Sequence, residues 1–255
     1  MKGLDGRRVI LTGGASGIGR AAAVRLGEEG CMVGVFDLNG KGASETVEEI
    51  VEAGGQAAAY EVDISDRDAV HAAHQAFETC FGPVEGLANV AGWDAVANFL
   101  DTDRAFWDKV VRINLYGPLV MHHVVLKGMA ARGFGRVANV ASDAARVGSS
   151  GEAVYSACKG GIVAFTKTMA REMATKGVTL NALCPGPTDT AILQGIMGAG
   201  EAGAKLAESL KRAIPLKRIG QPDDYAGMLA LLLSDEVAFM TGQVVSISGG
   251  LTMHG

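Results

Sequence analysis

The stretch RRVILTGGASGIGRAAAV, residues 7–24, decides the fold of this 255-residue chain. Its first part, residues 7–14, is a short apolar run that ends in two glycines, which is typical of a buried β-strand. A glycine-rich turn follows, and small and apolar residues then recur at helical spacing over residues 17–29. The stretch therefore predicts a strand, a tight turn and a helix in direct succession.

The same alternation continues along the whole chain. Further strand-like runs are predicted at residues 31–37, 57–63, 86–92, 136–142, 178–186 and 243–250. Amphipathic stretches typical of helices lie at residues 17–29, 41–53, 66–81, 103–131, 152–175 and 222–234. Because the strands read as nearly continuous apolar runs, we expect helices on both faces of the sheet. The pattern predicts an α/β fold with a doubly wound parallel sheet of about seven strands.

The chain is expected to form one domain, residues 1–255, because no repeat, low-complexity tract or linker divides it. One segment, residues 187–221, departs from the alternation, and we refer to it as the lid. It is rich in glycine, at Gly195, Gly198, Gly200 and Gly203. A more helical stretch and Pro215 follow. Such a glycine density favours a mobile element, and its place near the end of the sheet suits a substrate pocket.

Composition and charge argue against several classes of function. Apolar residues make up 48% and charged residues 20% of the chain, as in ordinary soluble globular proteins. The net charge of −5 gives no reason to expect general binding to nucleic acid or to anionic membranes. Residues 1–14 lack the apolar core of a signal peptide, and no apolar run is long enough to cross a bilayer. We therefore expect a cytoplasmic protein.

The cysteines and histidines indicate no metal site. Four cysteines lie far apart without CxxC spacing, at Cys31, Cys80, Cys158 and Cys184. They are expected to be reduced thiols that pack as small apolar side chains. The five histidines also lack the spacing of a ligand set. We expect no bound metal ion.

Polar or turn-forming residues follow six consecutive strand candidates. They are the glycine loop of residues 12–19, Asp37, Asp63, residues 89–92, Ser142 and the pair Pro185-Gly186. Because the carboxyl ends of parallel strands meet at one edge of a sheet, we expect these groups to gather where open α/β sheets bind their ligands. Chance can place one such group there, but six together indicate a binding site.

The glycine loop and Asp37 point to a dinucleotide. The loop follows a strand and opens a helix, so its N–H groups can face a pyrophosphate. Asp37 ends the second strand, where a carboxylate can accept hydrogen bonds from the adenosine ribose hydroxyls. A 2′-phosphate would meet a like charge there, and Ser16 and Leu38 stand where a balancing arginine would be needed. The pattern favours NAD(H) over NADP(H).

A second candidate site lies in VYSACKGGIVAF, residues 154–165. Tyr155 and Lys159 are four residues apart and share one helix face among small or apolar neighbours. A phenol has an ordinary pKa of about 10, and a cation one helical turn away lowers that pKa by stabilising the phenolate. Bringing the pKa of Tyr155 to about 7 or 8 needs about 3–4 kcal/mol from its surroundings. The pair therefore indicates general acid–base chemistry.

Together these motifs resemble the classical short-chain dehydrogenase/reductase family over essentially the whole chain. The matching stretches are TGGASGIG (12–19), Asp63, NVAG (89–92), Asn114, Ser142, YSACK (155–159) and PGPTDT (185–190). The resemblance implies a Rossmann-type sheet, an NAD(P)-dependent oxidoreductase acting on a secondary alcohol or ketone, and a homotetramer more often than a dimer. It also implies a catalytic tetrad of Asn114, Ser142, Tyr155 and Lys159.

The resemblance gives each of these residues a role. Ser142 would donate a hydrogen bond to the substrate oxygen, Lys159 would also bind the nicotinamide ribose, and Asn114 would hold a water that passes protons to Lys159. Asn114 has a second interpretation, as an amide that bonds at a kink near Gly117 and Pro118. The residues expected at the cofactor are Gly13, Ser16, Gly17, Ile18, Gly19, Asp37, Leu38, Asp63, Ile64, Asn89, Ala91, Gly92, Tyr155, Lys159, Pro185, Gly186, Thr188 and Thr190.

The substrate side is less constrained by motifs. Trp93, Asp94, Arg146 and Glu152 flank the tetrad and are expected to border the substrate pocket, with an ordinary loop role as the alternative for each. Residues 91–94, 141–161, 184–190 and 248–255 are similar to family members that act on cyclic β-hydroxyacyl-CoA esters. Basic residues of the lid would then contact the CoA phosphates or form a solvated helix face: Lys205, Lys211, Arg212, Lys217 and Arg218.

Two other hypotheses stay open at this point. The first is a different member of the same family, such as a 3-oxoacyl-carrier-protein reductase or a polyol or sugar dehydrogenase. The second is a catalytically inactive NAD(H)-binding module. An intact Asn-Ser-Tyr-Lys set argues against the module.

Overall fold

The computed structural model describes residues 1–198 and 201–253. Seven strands form one parallel sheet: β1 Arg8–Thr12, β2 Met32–Asp37, β3 Gln56–Glu61, β4 Gly86–Asn89, β5 Gly135–Val140, β6 Val178–Pro185 and β7 Val244–Ile247. Their order is β3-β2-β1-β4-β5-β6-β7. The predicted doubly wound parallel sheet is confirmed. The order reverses between β1 and β4, which places the ligand-binding crevice of such sheets beyond the ends of these two strands.

Helices cover both faces of the sheet. In the described residues they are α1 Gly17–Glu28, α2 Gly40–Glu52, α3 Arg67–Phe81, α4 Arg104–Val111, α5 Gly117–Arg132, α6 Ala144–Val147, α7 Ala153–Ala174, α8 Ala191–Met197, α9 Glu201–Ala213 and α10 Asp223–Leu233. Short polar side chains begin several of them. Asp66, for example, accepts hydrogen bonds from the N–H groups of Asp68 and Ala69 at the start of α3.

The sheet separates two apolar cores. Val9 and Leu11 of β1 face one of them, where they meet Leu26 of α1 and Leu229 of α10. Ile10, between them in sequence, faces the other core. Successive side chains of a strand point to opposite faces, so a continuous apolar run fills both cores. This packing explains why the strands lack the apolar–polar alternation of a half-exposed sheet.

The long helical stretch predicted at residues 103–131 is divided in the structure. α4 ends at Val111, a π-helical turn spans Arg112–Tyr116, and α5 begins at Gly117. Pro118 has no N–H to donate to the carbonyl four residues earlier, which is that of Asn114. The predicted irregularity near Gly117 and Pro118 therefore takes the form of a π-helical turn, a feature often found at functional sites.

The lid carries two helices, α8 and α9, on either side of residues 199 and 200. The predicted lid glycine Gly200 lies outside the described residues. Thr190 caps α8 by accepting a hydrogen bond from the N–H of Leu193. None of the helices within the described ranges combines the length and the apolar character that a bilayer crossing needs.

Candidate active site

The loop between β1 and α1 is built for close approach. Gly13 has a φ of +73°, and a Cβ atom there would lie 2.7 Å from Cα of Ala91. A Cβ on Gly19 would lie 1.9 Å from the carbonyl oxygen of Gly13. Only glycine fits at both positions, and the absence of a side chain lets the loop backbone pack closely against its neighbours at the edge of the sheet. Among the described residues no side chain caps the start of α1, so the N–H groups of its first turn are available to an anion.

Asp37 stands at the end of β2 and braces this loop. Its carboxylate accepts hydrogen bonds from the N–H of Ala15 at 3.0 Å and from the N–H of Asn39 at 2.8 Å. The neighbouring Leu38 side chain is 70% exposed, at the mouth of the cavity described next. A carboxylate that accepts two backbone donors is fixed in position and keeps further lone pairs for a ligand.

A cavity of about 960 Å³ opens beyond the carboxyl ends of the strands. Ordinary ligand sites measure about 300–1,000 Å³, so this cavity has room for a large ligand. It is lined by most of the predicted cofactor residues, namely Gly13, Ser16, Gly17, Ile18, Gly19, Asp37, Leu38, Asp63, Ile64, Ala91, Gly92, Tyr155, Lys159, Pro185, Gly186, Thr188 and Thr190. A glycine cradle that a Cβ would fill, an open helix start and a fixed carboxylate together fit a dinucleotide.

Tyr155, Ser142 and Lys159 meet on the wall of this cavity. Tyr155 and Lys159 lie on α7, and Ser142 follows β5. The Tyr155 hydroxyl is within hydrogen-bonding reach of the Ser142 side chain. Lys159 is 3% exposed, and its Nζ donates to the carbonyl of Val140 at 2.9 Å. The same Nζ lies 5.7 Å from the centre of the Tyr155 ring. The sheet end and the first turns of α7 thus bring a phenol, a hydroxyl and an ammonium group together.

The expected lowering of the Tyr155 pKa is not seen in the protein alone. Burial raises the pKa of the phenol above its usual value, and the charges of Asp94 and Glu152 add to the increase, while the hydrogen bond with Ser142 opposes it. Burial also lowers the pKa of Lys159, to about 8. The ammonium group of Lys159 donates to the Val140 carbonyl and lies 5.7 Å from the centre of the Tyr155 ring, and its charge is not among the main influences on the pKa of the phenol. Tyr155 is therefore poised as a proton donor in this state.

Asn114 lies on the π-helical turn and is fully buried. Its Nδ2 donates to the carbonyls of Trp93 at 2.7 Å and Val110 at 3.0 Å, and its Oδ1 accepts from the N–H of Trp93 at 3.2 Å. A Cβ on Gly92 would lie 3.1 Å from this Oδ1 and 3.4 Å from Nζ of Lys159. Asn114 thus fixes the loop after β4 beside Lys159, which agrees with its interpretation as an amide bonded at a helix irregularity.

Two predicted site residues lie away from the cavity wall. Asn89 is buried at the end of β4, and its Nδ2 donates to Oδ1 of Asn139 at 3.1 Å. Arg146 directs its guanidinium to β7, where it donates to the carbonyl of Val244 at 3.2 Å and to Oγ of Ser246 at 2.9 Å. Asn89 thus bonds to a side chain of β5 and Arg146 to β7. Sequence position places both residues near the site, but it does not show which way their side chains turn.

The loop after β4 brings Trp93 into the cavity with a partner that the sequence analysis missed. Nζ of Lys109 lies 3.6 Å from the centre of the Trp93 ring, and Phe106 meets the same ring edge to face at 6.1 Å. Phe106 and Lys109 are three residues apart on α4 and so share one face. That spacing is visible in the sequence and indicates the shared face of α4, but it does not indicate that this face meets Trp93.

The lid presents apolar side chains to the cavity, including those of Leu193, Leu206 and Leu210. Four of its five basic side chains are engaged elsewhere, and the fifth, that of Arg212, is exposed. Lys205 pairs with Glu201 at 2.7 Å, Lys211 with Glu208 at 2.8 Å, Arg218 with Asp224, and Nζ of Lys217 donates to the carbonyl of Arg212 at 2.8 Å. Within the described part of the lid none of the five basic residues lines the cavity. This arrangement favours the solvated helix face over a clamp for CoA phosphates.

Comparison with known proteins gives the site a family. A family model described as enoyl-(acyl carrier protein) reductase matches residues 13–252. The chain is 36% identical to the acetoacetyl-CoA reductase of Shinella zoogloeoides, over 96% of this chain and 98% of that protein. It is 34% identical to the 2,3-dihydroxy-2,3-dihydro-p-cumate dehydrogenase of Pseudomonas putida, over 98% and 96%.

The fold has a solved counterpart as well. The crystal structure of levodione reductase matches with a TM-score of 0.93 and 33% identity, over 96% of this chain and 97% of that one. Family model, relatives and solved structure all extend over nearly the whole chain, as the motifs do. The chain belongs to the short-chain dehydrogenase/reductase family, whose members are NAD(P)-dependent oxidoreductases of alcohols and ketones.

Proposed function

We propose that this enzyme transfers hydride between NAD(H) and a secondary alcohol or ketone, with Tyr155 as its acid–base group. The observation that carries the proposal is the meeting of Tyr155, Ser142 and Lys159 on the wall of the cavity that the glycine loop also lines. When bound, the nicotinamide supplies or accepts the hydride. Every remaining task falls to side chains of the chain itself.

The roles follow from the chemistry of the three side chains. In the reductive direction the Tyr155 hydroxyl gives its proton to the oxygen of the reacting carbonyl, and in the oxidative direction the phenolate takes it back. Ser142 donates a hydrogen bond to the same oxygen and stabilises the charge that develops there. Lys159, buried one turn along α7, stabilises the phenolate left after proton transfer. Asn114 maintains the loop that borders Lys159.

We propose NAD(H) as the cofactor in preference to NADP(H). Asp37 is the supporting observation, since its fixed carboxylate at the end of β2 suits ribose hydroxyls and repels a 2′-phosphate. Ser16 and Leu38, also at the cavity, offer no positive charge in compensation. The residues expected to hold the dinucleotide are those of the glycine loop, Asp37, Asp63 and the backbone after β4.

We propose a cyclic β-hydroxyacyl-CoA as the substrate class. Residues 91–94, 141–161, 184–190 and 248–255 resemble 2-hydroxycyclohexanecarboxyl-CoA dehydrogenase, and residues 141–152 border the cavity with several side chains. An acetoacetyl-CoA reductase among the relatives also acts on a β-oxygenated CoA ester, by its name. The apolar lining from the lid suits a ring. The paired lid cations add no support for CoA binding.

Another member of the family remains the second candidate. One relative is a dihydrodiol dehydrogenase, whose name supports a cyclic diol as the substrate of this chain as well. Another relative, a 3-oxoacyl-carrier-protein reductase of Synechocystis, is 33% identical to this chain. Asp37 argues against the carrier-protein reductases that use NADP(H). An inactive NAD(H)-binding module is a third and weaker candidate, because Ser142, Tyr155 and Lys159 are all present at the cavity.

We also propose a homotetramer. Large apolar side chains remain exposed on one protomer, among them Leu100 at 92% and Phe239 at 106%. Exposed apolar side chains of this size suit contacts between subunits, and the number of four subunits is the one that the family resemblance implies. Light scattering on the eluting peak of a sizing column measures the mass, and a mass near that of one 26.3 kDa chain would contradict the tetramer.

The experiment that tests this function compares two ketones and two cofactors. NADH oxidation is followed at 340 nm with 2-oxocyclohexanecarboxyl-CoA and with cyclohexanone, and both assays are repeated with NADPH. The proposal predicts a large kcat/KM advantage for the CoA ester and for NADH. Equal and poor rates on both ketones would show that the substrate is not a CoA ester of this kind. Activity on other alcohols would then still support the assignment as a dehydrogenase.

A further inference from the structure

A pair of carboxyl groups lies beside the proposed acid–base group. Asp94, in the loop after β4, is 7% exposed and lines the cavity. Glu152, directly before α7, is half-buried and lines the same cavity. The charges of both carboxyl groups act on the Tyr155 hydroxyl. The pair is therefore close enough to influence whatever is attached to the reacting carbon.

Asp94 lacks the partners that a buried carboxylate needs. Neither of its side-chain oxygens has a well-formed hydrogen bond in the described structure, and the backbone N–H of Ala95 lowers the pKa of Asp94 by less than burial and Glu152 raise it. Its side-chain neighbour is another acceptor, the carboxyl group of Glu152, within hydrogen-bonding reach. Two acceptors in contact are satisfied only when a proton lies between them. Burial, and then the hydrogen bond and charge of Glu152, raise the pKa of Asp94 to about 7.

The rest of the surroundings does not neutralise the pair. A small pocket next to it is walled by Ala97, Phe99, Thr102 and Phe106, none of which carries a charge. Lys159 is the nearby cation that acts on Asp94, and its effect is smaller than those of burial and of Glu152. Because two facing carboxyl groups favour one shared proton over two charges, the pair keeps a negative charge at the cavity wall. Glu152 is the more exposed of the two carboxyl groups.

We propose that Asp94 and Glu152 form a charge filter, which admits substrates with an uncharged group next to the reacting carbon and rejects the free carboxylic acids. The inference rests on the proposed function and narrows its substrate class. A β-hydroxy ester or thioester places a neutral carbonyl beside the pair, whereas the matching β-hydroxy acid places a carboxylate there. By this inference, a reaction that converts the acid into an ester or thioester must supply the substrate.

The size of the effect follows from Coulomb's law. Two unit charges about 6 Å apart, in surroundings with an effective dielectric constant of about 20, repel enough to weaken binding about 100-fold. A neutral ester escapes this penalty. The filter therefore predicts on the order of 30- to 100-fold weaker binding of the acid than of the ester.

The test measures binding without turnover. Isothermal titration calorimetry gives the Kd of ethyl 2-hydroxycyclohexanecarboxylate and of the 2-hydroxycyclohexanecarboxylate anion for the protein saturated with NADH, a combination in which no hydride can move. The same pair of ligands is titrated into Asp94→Asn, Glu152→Gln and the double variant. Glu48→Gln is the matched control, since Glu48 is exposed on α2 and does not line the cavity.

The filter predicts that the wild-type protein binds the ester at least about 30-fold more tightly than the acid. The ratio should fall below about fivefold in the double variant, through tighter binding of the acid, and stay unchanged in the control. Equal affinities in the wild-type protein overturn the inference without any variant, as does a failure to bind either ligand or an unchanged ratio in the double variant. Failure of the proposed function shows separately, as absence of turnover of the ester with NAD⁺.

Discussion

Asp37→Asn is predicted to change the cofactor preference of the enzyme. The carboxylate of Asp37 accepts the N–H groups of Ala15 and Asn39 at 3.0 and 2.8 Å, so its position is fixed by the protein itself. Asparagine removes the charge and nearly keeps the shape of the side chain, but its single oxygen can accept from only one of the two N–H groups, because each is bonded to a different carboxylate oxygen. The lost backbone hydrogen bond affects NADH and NADPH alike, so the ratio of the two Kd values reports the charge of Asp37.

The magnitude follows from two contributions. A 2′-phosphate about 5 Å from Asp37, in surroundings with an effective dielectric constant of about 20, meets a repulsion of about 3 kcal/mol per unit charge. Removing the negative charge of Asp37 should therefore tighten NADPH binding about 100-fold. The hydrogen bonds from the ribose hydroxyls to a charged acceptor contribute about 1–2 kcal/mol more than those to a neutral one, so NADH binding should weaken about tenfold.

Fluorescence titration with NADH and NADPH measures both Kd values without a substrate. The ratio of the two Kd values should change by about 1,000-fold in Asp37→Asn. Asp37→Ala, which deprives the N–H groups of both Ala15 and Asn39 of their acceptor, should show a similar change of ratio but bind both cofactors more weakly than Asp37→Asn. If the ratio in Asp37→Asn stays within threefold of the wild-type ratio, the charge of Asp37 does not select the cofactor (about 0.6 kcal/mol).

Three further predictions concern the loops and the buried carboxyl. Gly13→Ala should abolish measurable NADH binding, since its Cβ would lie 2.7 Å from Cα of Ala91. Gly133→Ala is the control, because Gly133 has a similar φ of +71° and no neighbour within 4 Å. This control should lose only about 1–2 kcal/mol of stability to backbone strain and should bind NADH normally. Asn114→Ala should lower the free energy of unfolding by about 2–4 kcal/mol in urea titrations, because it leaves the N–H and carbonyl of Trp93 without their partner; a loss below 0.5 kcal/mol would contradict that accounting. The pKa of Asp94 is raised to about 7 in the folded protein, so the folded state binds this proton more tightly than the unfolded chain, whose pKa is about 3.9. The contribution of Asp94 to stability is therefore fully present below about pH 4 and is lost as the pH rises through about 7, by on the order of 2–4 kcal/mol. Asp94→Asn should remove this pH-dependent fall from the curve of Tm against pH.

The fold could be predicted almost completely, because both of its main signals are local. The apolar runs of β1 and β5 are buried on both faces, and the glycines of the first loop stand where a Cβ would collide with Ala91 or with the backbone of Gly13. The division of the predicted helix at residues 103–131 was visible only as Gly117 and Pro118. The π-helical turn carries Asn114, and two of the hydrogen bonds of this side chain join Trp93 in another loop, a contact that the local sequence does not reveal.

The site could be predicted as a set of residues but not as an electrostatic environment. Sequence spacing places Lys159 one turn from Tyr155, yet it says nothing of the Val140 carbonyl that bonds the ammonium group or of the burial that raises the Tyr155 pKa. The same limit applies to the substrate side. Arg146 and Glu152 both precede Tyr155 in the same loop region, but only Glu152 lines the cavity, because Arg146 finds acceptors on β7.

Transfer of a proton by Tyr155 during hydride transfer is tested by the Tyr155→Phe variant. Ketone-dependent oxidation of NADH is measured for both proteins with 2-oxocyclohexanecarboxyl-CoA, alongside the Kd of NADH from fluorescence. Without the phenol proton, kcat should fall by about 100- to 10,000-fold while NADH binding changes little. A variant that keeps its kcat, or a wild-type protein that binds NADH and oxidises it with no ketone, would overturn the proton-transfer role of Tyr155.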